Sequence, residues 1–67
     1  MRKRDFGRRL REARLELGWS QERLAQALGV SKFTVHRWEK GLHSPSSQAI
    51  IERVKKVLGE QVFEARN

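Results

Sequence analysis

The run QERLAQALGVSKFTVHRWEKG, Gln21 to Gly41, leaves this chain little choice of fold. Apolar residues recur at helical spacing on both sides of Gly29: Leu24, Ala25 and Leu28 before it, Val35 and Trp38 after it. Only Gly29, Val30 and Ser31 separate the two segments, so the helices they form cannot drift apart. A reversal this sharp needs a backbone with positive φ, which a Cβ opposes and glycine accepts. Ser20 and Ser31 stand where helix N-caps belong, and Gly29 and Gly41 where helices stop. Two short helices are therefore predicted, locked at a fixed angle. The second shows Lys32, Phe33, Thr34, His36 and Arg37 at or around its outer face.

The remaining sequence supplies support for that pair. Phe6, Leu10, Ala13 and Leu17 share one face of a predicted first helix that ends at Gly18. Before it, residues 1–5 (MRKRD) read as a basic arm. After Gly41 comes a loop, GLHSPSS, holding the single proline. A fourth helix is expected from about Ser46 to Gly59, with Ile50, Val54, Val57 and Leu58 facing inward. Residues 60–67 form a short polar tail whose apolar members are Val62 and Phe63, with room for one further turn. No strand pattern, internal repeat or low-complexity tract is visible. The expected class is all-α: one compact domain of four to five helices over residues 1–67, with its helical core at residues 6–59.

Composition narrows the chemistry. The chain has no cysteine, so disulfides and thiolate metal sites are excluded. No apolar run approaches the roughly 20 residues that span a bilayer, and no secretory signal is present, so a cytoplasmic, nucleoid-associated protein is expected. Fifteen Lys and Arg against eight Asp and Glu give a formal net charge of +7, which attracts polyanions: DNA, RNA or anionic lipid. His36 and His43 lie without cysteine or clustered acid beside them, which does not suit a tetrahedral zinc site. Neither a nucleophile–base arrangement nor a glycine-rich phosphate loop appears. A non-enzymatic protein needing no cofactor, metal or small-molecule ligand is expected.

Helical geometry sorts the third helix. At about 100° per residue, Phe33 and Lys40 point roughly 170° away from the direction set by Val35 and Trp38. His36 and Arg37 stand roughly 130° away on either side. Two helices at a fixed angle, one with a basic outer surface, suit entry into a DNA major groove.

At these residues the chain resembles the Xre-like family of regulators, typified by lambdoid phage repressors and Cro. The likeness covers about Phe6 to Gly59. It rests on Gln21, Leu24, Ala25, Leu28, Gly29, Val30, Val35 and Trp38 at coupled spacings, then Glu39, Gly41, Pro45 and Ser46. The resemblance implies a sequence-specific DNA-binding regulator, expected to be a repressor that meets an inverted-repeat operator in double-stranded DNA as a homodimer. It assigns base reading to Lys32, Phe33, Thr34, His36 and Arg37. Lys32 and Arg37 suit guanine O6 and N7, and His36 a base acceptor or phosphate. Phe33 either meets a thymine methyl or folds back on its neighbours. Backbone contact falls to Ser20 and Gln21, at a helix N-terminus that favours anions. Lys40, His43, Ser44 and Ser46, in or beside the loop, share that role. The resemblance also implies a partly buried ion pair between Arg14 and Glu39.

For the homodimer, the end of the fourth helix and the tail offer Val57, Val62 and Phe63, although Phe63 equally suits closing the base of its own core. Two other functions compete: an antitoxin or accessory interaction subunit with secondary DNA contact, and a charge-driven nonspecific nucleic-acid binder.

Overall fold

The structure, a computed structural model, describes residues 2–63. Four α-helices follow in order: α1 Lys3–Glu16, α2 Gln21–Leu28, α3 Lys32–Glu39 and α4 Gln48–Leu58. A single 3-10 turn, Glu60–Val62, closes the described chain. No strand occurs among the described residues, and no helix there is long and apolar enough to cross a membrane. The arrangement is the all-helical one expected. Helix α3 packs between α1 and α2, while α4 rests on α2 and α1 and the 3-10 turn seals α1 against α4.

Local signals place the helix pair. Ser20 Oγ accepts the Arg23 N–H at 3.0 Å and Ser31 Oγ accepts the Thr34 N–H at 3.1 Å, each satisfying a donor that the helix leaves free. Gly29 has φ 73°, and Val30 N–H reaches back to the Ala25 carbonyl at 3.0 Å. Leu24, Ala25, Leu28 and Val35 are buried beneath this turn, with Val30 half-buried against them.

Three expectations need correction. Helix α1 starts at Lys3, so residues 3–5 belong to it and not to an arm; Phe6 N–H bonds to the Arg2 carbonyl, and Asp5 sits in the first turn, where the helix dipole favours an acid. Leu17 is 48% exposed. The helix ends at Glu16, Leu17 caps it, and the backbone turns away at Gly18, carrying that side chain past the elements it was to cover. Trp19 packs against the core instead, and the buried face of α1 is Phe6, Gly7, Leu10 and Arg14. Helix α4 begins two residues later than expected, with Val54 and Leu58 buried and Ile50 and Val57 half-buried.

The tail answers the question about its apolar residues. Val62 is buried, and the Phe63 ring stacks on Phe6 with centroids 5.1 Å apart. Trp38 meets the same Phe6 edge-on at 5.9 Å. Both tail residues therefore complete the domain's own core, and Val57 is packed against it as well.

Gly7 carries a constraint that periodicity does not reveal. A Cβ built there would lie inside the van der Waals shell of the Trp38 carbonyl oxygen and 3.1 Å from that of Glu39. Helix α1 thus approaches the end of α3 backbone to backbone, which only glycine permits.

Candidate nucleic-acid interface

Helix α3 carries one acidic residue, and its placement decides the character of the surface. Glu39 has only 4% of its side chain exposed. Its carboxylate accepts Arg14 Nε at 2.7 Å and Arg14 Nη2 at 3.0 Å, a forked pair across α1 and α3. Arg14 Nη1 donates to the Trp19 carbonyl at 2.8 Å, and Gln21 Nε2 donates to Glu39 at 3.0 Å. One buried network thus joins α1, the α1–α2 turn, the start of α2 and the end of α3.

With Glu39 turned inward, the outer side of α3 bears no negative charge. Between Arg23 and Ile51, Glu39 is the sole acid in the sequence. Lys32, His36, Arg37 and Lys40 are exposed, and none forms a salt bridge among the described residues. His43, Ser44 and Ser46 are exposed in the loop that follows. Elsewhere the acids are interleaved with cations, as in Asp5–Arg8 at 3.7 Å and Glu52–Lys55 at 3.6 Å. The side of the domain that α3 presents is therefore cationic with no carboxylate of its own.

The five side chains singled out on α3 are not equivalent. Phe33 is 66% exposed and does not fold back onto the core. Thr34 is half-buried, its hydroxyl 3.0 Å from Ser31 Oγ, on the flank where Trp38, Arg37 and His43 line a shallow hollow. Lys32, His36 and Arg37 stand free. Ser20 is exposed and capping, whereas the Gln21 amide is drawn inward to Glu39. What α2 offers an anion is therefore the backbone N–H groups of Gln21 and Glu22, since those of Arg23 and Leu24 are already taken by Ser20.

Trp19 and Arg23 escaped sequence reasoning. The Arg23 guanidinium lies 5.3 Å from the centre of the Trp19 ring, holding a cation beside the start of α2. Their four-residue spacing was the available signal; the partner in question sits on the turn rather than on the helix. Gly7, equally overlooked, lies within a helix and carries no local signal of a close approach.

Comparison with known proteins agrees with this geometry. A family profile described as a helix-turn-helix domain matches residues 5–64. An uncharacterized HTH-type transcriptional regulator of Methanothermobacter thermautotrophicus is 42% identical over 55 residues, covering 82% of this chain and 78% of that protein. A putative HTH-type transcriptional regulatory protein of Aeropyrum pernix is 39% identical over 56 residues, 84% of this chain but 17% of its own length. The second relative is thus far longer than the part it shares. No solved structure matches.

Proposed function

The chain belongs to the helix-turn-helix domain family, and from that premise we propose that it regulates transcription by binding a specific sequence in double-stranded DNA. The observation that carries this reading is the acid-free outer face of α3, left cationic because Glu39 is buried with Arg14. A helix of this kind, held rigidly by a second one, enters the major groove and exposes side chains to base edges. Lys32, Phe33, Thr34, His36 and Arg37 read bases in this scheme. Ser20, Gln21 (through its backbone), Lys40, His43, Ser44 and Ser46 meet the phosphates. Repression follows from occupying an operator. Two copies on an inverted repeat would set their α3 helices about 34 Å apart in successive major grooves.

Binding to random and selected duplexes at two salt concentrations tests the reading. A charge-driven binder loses affinity steeply with salt and prefers no sequence, whereas a specific regulator keeps a gap of roughly 10³ or more for its site. Retention of that gap is the expected result; its absence at both salt concentrations rejects the proposal.

Two substitutions separate reading from holding. Arg37→Ala should cost about 1–3 kcal/mol on the selected site and relax preference at one base pair. Lys40→Ala should weaken every sequence alike and lower the salt slope by about one. If both variants act equally on all duplexes, Arg37 does not read a base.

A further inference from the structure

Among the described residues, Phe33 has no structural employment. The ring pairs are Phe6–Trp38 and Phe6–Phe63, and the cation–π contacts belong to Trp19 and Phe63; Phe33 enters none of them. It stands 66% exposed in the first turn of α3, among polar and charged neighbours. Arg37 follows one helical turn later, exposed and without a carboxylate partner among the described residues. The pair sets an apolar ring beside a forked donor, about 6 Å apart along the helix axis, roughly the span of two base pairs.

The two side chains sense different things. Arg37 matches the O6 and N7 acceptors of guanine. A phenyl ring has neither donor nor acceptor, so it cannot tell the O4 of thymine from the N4 amine of cytosine. It responds to apolar surface in the groove, and on a pyrimidine that surface is the C5 methyl group. 5-Methylcytosine carries the same methyl at the same position.

We propose that Phe33 and Arg37 together read a 5-methylpyrimidine within two base pairs of a guanine, with thymine and 5-methylcytosine both accepted and unmethylated cytosine disfavoured. Methylation of cytosine at that position then strengthens a site, and a DNA modification becomes an input to regulation. This rests on α3 being the helix that enters the major groove.

The test uses duplexes selected from random DNA by the protein itself. At each pyrimidine of the selected half-site, two comparisons change the methyl group and no hydrogen-bonding group: thymine against uracil opposite adenine, and 5-methylcytosine against cytosine opposite guanine. At one position, loss of the methyl should weaken binding about fourfold per half-site in both comparisons, the worth of one buried methyl. Phe33→Ala, at an exposed position, should keep its thermal midpoint and bind methylated and unmethylated versions equally.

A selected sequence indifferent to methyl removal at every position overturns the proposal while leaving groove reading intact. So does a methyl effect that survives in Phe33→Ala, or one confined to thymine against uracil. Failure to select any preferred sequence rejects the DNA-reading function itself, and this inference with it.

Discussion

Arg14→Met is expected to destabilise the domain by about 3–5 kcal/mol, because it strands a buried carboxylate. In the native protein Glu39 is approached by three donors, two from Arg14 and one from Gln21. The substitution leaves Gln21 alone, with 4% of the Glu39 side chain exposed to water. Coulomb attraction in the intact pair only roughly offsets the desolvation of its two charges, so the pair itself adds little net stability. Breaking it is what is costly. For a domain of this size, a loss of about 3 kcal/mol lowers the unfolding midpoint by about 12 °C or more. Thermal unfolding followed by circular dichroism measures this directly, and an unchanged midpoint would show that loss of Arg14 does not strand the Glu39 carboxylate.

Two companion variants separate charge from geometry. Glu39→Gln keeps a side chain that accepts hydrogen bonds but strands the Arg14 guanidinium without its counter-ion. Arg14→Met combined with Glu39→Leu removes both charges, and should recover much of the stability lost in Arg14→Met alone. Recovery of stability need not restore DNA binding. The network also ties the start of α2 to the end of α3, so the double variant is expected to fold better than it binds.

Gly7→Ala is the second large effect, and its sign depends on which of two terms wins. Alanine in a helix interior is favoured over glycine by about 1 kcal/mol, so the local expectation is a gain. Against it stands the collision of the new methyl with the Trp38 carbonyl oxygen, with that of Glu39 3.1 Å away. Neither neighbour is a side chain that can rotate aside; relief requires α1 and α3 to move apart. Overpacking costs about 1–3 kcal/mol, and a backbone obstacle puts this case at the upper end. The net loss is then about 2 kcal/mol, a drop of roughly 8 °C or more in the midpoint. A rise in the midpoint would refute the close approach. Because the displaced element is α3, DNA affinity should fall further than stability alone explains.

These two residues show what kinds of information the sequence carries. The Arg14–Glu39 pair could be anticipated only through a resemblance, since the residues are 25 positions apart and no local rule links them. Its further partners, the Trp19 carbonyl and the Gln21 amide, were not anticipated at all. Gly7 carries no local signal at all; its role appears only when the opposing backbone is in place.

The helix pair is legible in the order of residues alone: its caps at Ser20 and Ser31, its turn at Gly29, its inward stripe and the identities of the outward side chains on α3. These depend on one residue's φ or on partners within a single helical turn, interactions that operate whatever the rest of the chain does. Tertiary structure decided the remainder. It left Leu17 in solvent and took Trp19 into the core, folded Val62 and Phe63 onto Phe6, and removed Glu39 and the Gln21 amide from the surface that α3 presents. Each outcome turns on the distance between elements far apart in sequence, which periodicity along one helix does not encode.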